Sequence, residues 1–288
     1  MTISTFLDRM RQQKLQEIEK RQRVHPLAAL RELQAEAPEV MDWREALGLR
    51  QRPALIAELK ARSPAQQNVA NPDWPEIVKE YEAGGAAAVS VLTDESYFGG
   101  SLDLLEQVSQ RTMLPRLHKE FILGEYQLRE GRLRGASAAL ILVYYFSEKE
   151  LHEIVNCCVE IGVTAVVECS LQEELPRALA INPDVLLLNN RPIAALPAEP
   201  QRGYLQGTIE TTLRWWREES ELRQWKQQAG KCLISASCID SRADVEHLSS
   251  VPLDALLIGN AVMKAPNRVE FLRPVSYTHL TLPTILPV

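Results

Sequence analysis

The chain has 288 residues, of which 45% are hydrophobic and 24% are charged, and its formal net charge is −6. This composition is typical of a soluble globular protein that can bury a sizeable core. The negative charge argues against nucleic acid or an anionic membrane surface as a general partner, but it leaves room for a local basic pocket that holds a small anion.

The cysteines and the apolar segments indicate the compartment. The five cysteines form neither a C-x-x-C pair nor a disulfide framework, so we expect reduced thiols in a cytoplasmic protein and no metal site. No apolar stretch reaches the roughly 18 residues that a membrane helix needs. The N-terminus also lacks the apolar core of a secretory signal, so no membrane association is expected.

The first predicted element is a helix over residues 5–23. Thr5 and Asp8 form a capping pair, and apolar residues recur at roughly helical spacing among many charged ones. This segment precedes the first predicted strand and belongs to no repeat. We therefore assign residues 1–50 to an N-terminal helical extension.

From Ala54 onwards, predicted strands and helices alternate. The strands lie near 54–59, 86–92, 115–119, 138–143, 164–168, 184–188, 232–236 and 254–258. The helices lie near 74–83, 102–110, 124–134, 147–161, 171–180, 209–228 and 241–249. This alternation favours an α/β protein with a closed (β/α)8 barrel, the TIM barrel, over residues 51–274. An open doubly wound sheet would carry a glycine-rich turn after its first strand, whereas the segment KARSPAQQN there has no glycine.

Two segments do not fit the repeat. The long interval between the sixth and seventh strands carries Trp215, Trp216 and Trp225, which we interpret as a packed amphipathic helix after a longer loop, with a lid or partner surface as the alternative. Residues 275–288, VSYTHLTLPTILPV, have no charged residue and do not continue the preceding helical pattern. We expect them to be a non-native tail, which intact-mass analysis of protein from the native source would test.

Charged and amide residues follow the apolar strands at their carboxyl ends. They are Glu58, Lys60, Lys119, Glu168, Asn189 and Arg191. A charge there is costly unless a partner or ligand meets it, and the carboxyl ends of barrel strands meet at one mouth. A carboxylate beside an ammonium can serve as proton donor and acceptor, so the set predicts an acid–base site. For any one residue alone, a structural ion pair is the alternative.

The seventh and eighth strands end in small polar residues before a helix, where barrels commonly hold a phosphate on backbone N–H groups. The candidates are Ser237, Gly259 and Asn260, with Ser63 from the first loop nearby. Ordinary turn chemistry is the alternative for each of them. His118 neighbours Lys119, so strand alternation sends it to the opposite face and predicts a packing role.

Several segments together resemble one family. They are PALIAELKARSP, YEAGGAAAVSVLTDESYFGGSLDLL, LPRLHKEFILGEYQLREGRLRGASAALIL, VVEC and LNNR. From the N-terminal LDRM helix to about Ala265, the chain resembles the indole-3-glycerol phosphate synthases of tryptophan biosynthesis. The segment from Ser90 to Ser101 is specific to this likeness, and it is joined to E-x-K-x-x-SP and KEFI at the expected intervals.

The resemblance implies a (β/α)8 barrel with an extra N-terminal helical segment and a lyase without a cofactor. The implied substrate is 1-(2-carboxyphenylamino)-1-deoxyribulose 5-phosphate, whose ring closes with loss of carbon dioxide and water. By motif position, Lys119 resembles the general acid, Glu168 its partner base or the stabiliser of the cationic intermediate, and Glu58 an assistant in dehydration. Lys60 matches a lysine that meets the substrate carboxylate and also takes part in the acid chemistry. Other enzymes of the same pathway are possible partners.

The remaining matches concern substrate binding. Asn189 and Arg191 match an orienting pair on the sixth strand. The phosphate-contact positions are Ser63, Ser237, Gly259 and Asn260. Two departures from the family pattern affect this region: Ala236 and Cys238 stand in S-A-S-C-I where S-E-S-G-I is usual, and Ala65, Gln66 and Gln67 follow Pro64 where S-K-G is usual. Three functions therefore stay open at this point: an active synthase, a paralogue acting on a related sugar phosphate or aromatic compound, and a barrel that binds a ligand without turnover.

Overall fold

The protein is described as a computed structural model covering residues 5–48, 53–63, 66–67, 72–198 and 206–276. The side chains of residues 63, 66, 67 and 274–276 lie outside this description. No helix in these ranges combines the length and the apolar character that crossing a bilayer requires.

Eight parallel strands close into a barrel, which confirms the predicted fold class. They are β1 (Ala54–Leu59), β2 (Ala88–Leu92), β3 (Arg116–Lys119), β4 (Ala138–Leu142), β5 (Thr164–Cys169), β6 (Val185–Asn189), β7 (Cys232–Ala236) and β8 (Ala255–Ile258). Each strand pairs with the next, and β8 returns to β1 with Ala255 opposite Ala54. Core side chains cover the inner face and helices cover the outer face, which is why these strands are nearly continuous apolar runs. Arg62–Ser63 and Gln66–Gln67 form a separate two-stranded ribbon after β1.

The predicted helices are present, with two corrections. Their bounds are α1 (Phe6–Val24), α2 (Leu27–Glu32), α3 (Trp43–Gly48), α4 (Trp74–Ala83), α5 (Leu102–Ser109), α6 (Glu125–Leu133), α7 (Glu148–Glu160), α8 (Leu175–Ala180), α9 (Glu210–Glu218), α10 (Ser220–Gln227), α11 (Arg242–Leu248), α12 (Asn260–Lys264) and α13 (Arg268–Ser276). Of these, α2, α3, α12 and α13 are additional helices that the sequence did not predict. The helix predicted over 171–180 begins with a 3-10 turn at Gln172–Glu174. The prediction of a single helix over 209–228 is wrong, because this segment forms two helices, α9 and α10.

The break between α9 and α10 has a local cause. Glu219 has an extended backbone, and the Arg223 guanidinium donates to the carbonyls of Trp216 and Arg217 that α9 leaves free at its end. Trp215 and Trp225 are buried, and the Trp225 indole donates to the carbonyl of Pro183. These contacts favour the packed interpretation of the tryptophans over a lid.

The N-terminal extension contacts both ends of the barrel. Helix α1 begins with the predicted capping box between Thr5 and Asp8. It lies across the carboxyl-terminal mouth, because the Phe6 amide donates to Leu196 after β6 and the Leu7 carbonyl accepts from Tyr145 after β4. Helix α3 lies at the opposite end, where Arg44 pairs with Asp184 just before β6 at 2.8 Å. The boundaries at residues 50 and 274 stay predictions, and so does the non-native tail, of which residues 277–288 lie outside the described part of the chain.

Candidate active site

The carboxyl-terminal mouth of the barrel surrounds a pocket with an apolar floor. Leu92, Leu140, Leu142 and Leu257 form this floor. The structure brings the predicted acid–base and orienting residues together on the pocket wall: Glu58, Lys60, Lys119, Glu168, Asn189 and Arg191. The convergence follows from topology, because parallel strands in a closed barrel deliver their carboxyl ends to the same mouth.

Glu58 and Lys60 form a buried ion pair at the end of β1. Two-residue periodicity sends both side chains inward, and the Lys60 ammonium lies 2.6 Å from Glu58 Oε1. Burial alone raises the pKa of Glu58, but the charges of Lys60 and Lys119 outweigh it and hold that pKa below its ordinary value. Burial lowers the pKa of Lys60, and the Glu58 carboxylate offsets only part of this effect. Glu58 is therefore held as a carboxylate, and the Lys60 ammonium is a stronger acid than a free lysine.

Gly259 makes room for this ion pair. A Cβ atom at that position would overlap Glu58 Oε1 and lie 3.2 Å from Lys60 Nζ. Any side chain there would push the carboxylate away from its lysine. The sequence predicted Gly259 as a phosphate contact, which stays a prediction, and its close approach to Glu58 is a feature that only the fold shows.

Lys119 lies at the end of β3, between two carboxylates. Its ammonium is 4.0 Å from Glu58 Oε2 and 3.6 Å from Glu168 Oε2. The Lys119 side chain is 16% exposed, against 3% for Glu58 and 1% for Glu168. The ammonium thus faces the open part of the pocket while both counter-charges lie behind it, an arrangement suited to proton donation to a bound ligand.

Asn189 orients Glu168 from the neighbouring strand β6. The Asn189 amide donates to Glu168 Oε1 at 2.9 Å, and its carbonyl oxygen accepts from the Arg191 backbone N–H at 3.0 Å. Among the described residues, the buried Glu168 Oε2 atom has no hydrogen-bond partner. This oxygen is therefore available to a ligand or a transferred proton.

The expected phosphate positions lie on one side of the pocket. Ser237, Cys238, Gly259 and Asn260 line it beside Arg191, and the backbone of Ser63 lies in the ribbon after β1, with its side chain outside the described residues. Ser237 and Cys238 have φ angles of 71° and 58°. The left-handed region favours glycine, so Cys238 occupies a position that strains its backbone by roughly 1–3 kcal/mol.

Sequence reasoning missed Asn190 and the aromatic part of the wall. Asn190 points away from the pocket, and its amide donates to Ser235 Oγ and to the Ser237 carbonyl, each at 3.0 Å, fixing the turn after β7. Phe6, Phe98 and Phe121 line the pocket opposite the phosphate positions, with Phe121 6.1 Å from Phe98 and 6.0 Å from Phe6 between ring centroids. Phe98 and Phe121 fall within the quoted motifs, but nothing local to them shows which way they face.

His118 is confirmed as a packing residue on the opposite face of β3. It is 1% exposed, and its Nε2 atom lies 3.0 Å from the Thr93 hydroxyl. Burial, together with the charges of Arg21 and Lys14, lowers the pKa of His118 to about 3, so the ring is neutral. Within the described ranges, no group of three or more His, Cys, Asp or Glu residues is placed to hold a metal ion.

Residues 7–275 match the family model of indole-3-glycerol phosphate synthase. The chain belongs to the indole-3-glycerol phosphate synthase family. A relative with that name from Desulforamulus reducens is 33% identical over 261 residues, covering 90% of this chain and 92% of the relative. One from Aquifex aeolicus is 33% identical over 244 residues, covering 84% and 88%.

The family match extends from α1 through the last barrel strand, so it includes the helical extension. It favours a synthase over the paralogue and the non-catalytic barrel. Among solved structures, 3-hexulose-6-phosphate synthase from Salmonella typhimurium has a TM-score of 0.58 and 14% identity, covering 77% of this chain and 96% of that one. At this identity the likeness shows the barrel fold alone.

Proposed function

We propose that this protein is an indole-3-glycerol phosphate synthase in which Lys119 is the general acid. The substrate is 1-(2-carboxyphenylamino)-1-deoxyribulose 5-phosphate, which closes to indole-3-glycerol phosphate with loss of carbon dioxide and water. The observation that carries the proposal is the Lys119 ammonium held between Glu58 and Glu168 at the mouth of a pocket with aromatic and cationic sides. Family membership supports the same reaction.

The pocket fits both ends of this substrate. The rings of Phe98 and Phe121 offer an apolar surface to the carboxyphenyl group, and Lys60 is the cation for its carboxylate. Arg191 and the turns at Ser237 and Gly259 lie on the other side, where the phosphate would accept hydrogen bonds from N–H groups. These local cations serve a substrate with two anionic groups inside a chain whose net charge is −6.

Ring closure needs a proton donor at the ketone. The aromatic carbon that bears the carboxylate attacks the ketone carbon, and the carbonyl oxygen takes a proton from Lys119. The ring then carries positive charge, which the Glu168 carboxylate stabilises from behind Lys119. Loss of carbon dioxide returns the electron pair of the broken bond to the ring and removes this charge.

Dehydration needs an acid and a base. The new hydroxyl group leaves as water after taking a proton, and the neighbouring carbon loses a proton to form the double bond of the indole. In the Glu58–Lys60 pair at 2.6 Å, the Lys60 ammonium, whose pKa is lowered, can protonate the leaving hydroxyl group, and the ionised Glu58 carboxylate can accept the proton from the carbon. Every step is a proton transfer or a bond rearrangement within the substrate, so the chemistry requires no cofactor.

Incubation of the purified protein with the carboxyphenylamino substrate tests the proposal. We expect indole-3-glycerol phosphate, detected by its indole fluorescence, and carbon dioxide to form in equal molar amounts. A substrate analogue whose ketone is reduced to an alcohol distinguishes the other functions, because it can bind but cannot cyclise. Binding of the analogue without turnover of the substrate would indicate a non-catalytic barrel, and absence of both would indicate a different ligand.

A further inference from the structure

Helix α1 places a buried lysine between the loops that follow β2 and β3. Lys14 is 2% exposed, and its ammonium lies 2.7 Å from Asp94 Oδ2 and 3.3 Å from Glu120 Oε1. Glu17, one turn further along α1, is the third partner at 2.8 Å. Burial alone would lower the pKa of Lys14, but the carboxylates of Glu120 and Asp94 outweigh it and raise that pKa. Lys14 is therefore a permanent cation inside the protein.

Each of the two buried carboxylates holds the backbone of an aromatic residue. Asp94 Oδ1 accepts from the backbone N–H groups of Tyr97 and Phe98, at 2.7 and 3.1 Å. Glu120 Oε1 accepts from the Phe121 N–H at 2.7 Å. The lysine thus fixes two acceptors, and these acceptors fix the loop segments that carry Phe98 and Phe121.

Thr93 and His118 hold Glu120 from the side opposite Lys14. The Thr93 hydroxyl donates to Glu120 Oε2 at 3.2 Å, so its oxygen is left to accept from His118 Nε2. The neutral His118 ring must therefore carry its proton on Nε2. Glu120 is held on one side by Lys14 and on the other by Thr93, and it directly follows Lys119 in the chain.

We propose that Lys14 is a positioning residue that sets the aromatic wall of the pocket by fixing Asp94 and Glu120. This inference rests on the proposed function for its catalytic consequence, because Phe98 and Phe121 would then receive the carboxyphenyl ring of the substrate. Lys14 itself does not line the pocket and touches no reacting atom. Its effect is transmitted through two carboxylates and three backbone N–H groups.

Removal of the cation changes the cluster in a defined way. Without Lys14, Asp94 and Glu120 are two carboxylates in one buried site, where their repulsion is no longer compensated. Burial already raises the pKa of Glu120, so this group takes up a proton or moves towards water. Either change loosens the bonds to the N–H groups of the loops, and the aromatic rings lose their fixed separation.

The variant Lys14→Met tests the proposal, with Lys20→Met as the matched control. Methionine keeps the length and the apolar stem of lysine, and Lys20 is an exposed lysine on the same helix. For Lys14→Met we expect a KM for the carboxyphenylamino substrate raised roughly tenfold or more, as loss of charged hydrogen bonds implies. We also expect amide hydrogen exchange at Tyr97, Phe98 and Phe121 to accelerate on the order of tenfold, with exchange in β7 unchanged. Lys20→Met should match the wild-type protein in both measurements.

Two results would overturn the proposal. One is a folded Lys14→Met protein with wild-type KM and wild-type exchange at the three amides. The other is a lower kcat at unchanged KM with faster exchange throughout the barrel. That result would mean that the substitution only reduces the fraction of folded protein. If Lys14→Met does not fold, Asp94→Asn decides by the same criteria, because it keeps an acceptor for the loop amides but removes the ion pair. Absence of turnover in the wild-type protein would count against the proposed function, and the exchange data, which need no substrate, would then decide the positioning role alone.

Discussion

The ammonium of Lys119 lies 3.6 Å from Oε2 of Glu168, an oxygen that accepts no hydrogen bond from the residues that the structure describes. The other oxygen of the same carboxylate is occupied by the Asn189 amide. Glu168 is therefore fixed by one oxygen and open at the other, which faces the proposed proton donor. Because one oxygen fixes the orientation and the other is left free, a fully buried carboxylate can still interact with a bound substrate.

Asn189→Ala should impair catalysis through Glu168. The substitution removes the donor to Glu168 Oε1 and the acceptor for the Arg191 backbone, so two orienting contacts disappear. We expect kcat/KM to fall by roughly 10- to 100-fold, corresponding to the 1–3 kcal/mol cost of leaving a buried polar group unpaired. Steady-state kinetics of the variant check this, with the exposed Asn156→Ala on α7 as control. A variant with wild-type kinetics would show that Asn189 has no orienting role.

Cys238→Gly should improve substrate binding at the phosphate side. Glycine adopts the observed φ of 58° without strain, and it removes the thiol beside Arg191. We expect a lower KM and a stability gain of about 1 kcal/mol, because relief of about 1–3 kcal/mol of left-handed strain exceeds the added freedom of the unfolded chain. Cys238→Ala is the control, since alanine removes the thiol but keeps the strain. An unchanged or higher KM for Cys238→Gly would count against crowding by the cysteine.

His118 should make the fold sensitive to acid. Its pKa is lowered from 6.5 to about 3 in the folded state, so the unfolded chain binds this proton first as the pH falls. The stability contributed by the neutral ring is fully present above pH 6.5 and is lost progressively down to about pH 3. The loss from this one group reaches up to about 1.4 kcal/mol per pH unit.

Urea unfolding at several pH values measures this dependence. His118→Gln keeps a donor near Thr93 and cannot be protonated, so its free energy of unfolding should fall less steeply between pH 6.5 and 4. The carboxylates of the protein also contribute to acid unfolding. The role of His118 is therefore measured by the difference between the two proteins in the slope of unfolding free energy against pH. Equal slopes in the two proteins would show that His118 does not stay neutral in the folded state.

The features that the sequence predicted correctly are local. Two-residue alternation placed Glu58 and Lys60 on one face, and it sent His118 to the other face of β3, as the structure confirms. The shared mouth of a closed barrel then brings the ends of different strands together without any knowledge of side-chain packing. This is why the acid–base residues could be predicted as a set.

The features that the sequence did not predict depend on contacts between distant segments. The approach of Gly259 to Glu58 requires the register of β8 against β1, and the burial of Lys14 requires α1 to lie across the mouth. The division between α9 and α10 depends on one extended residue, Glu219, in a segment whose helical pattern is otherwise continuous. No periodicity within a single element reports such contacts.

The turnover rate of Lys119→Ala tests the central claim most directly. Lys79→Ala is the control, because Lys79 is an exposed lysine on α4. With the carboxyphenylamino substrate, indole fluorescence should appear at wild-type rate for Lys79→Ala, whereas kcat for Lys119→Ala should fall by roughly 10²- to 10⁴-fold or more. Circular dichroism should show that both variants keep the barrel fold. A folded Lys119→Ala protein with near wild-type kcat would contradict the assignment of Lys119 as the general acid.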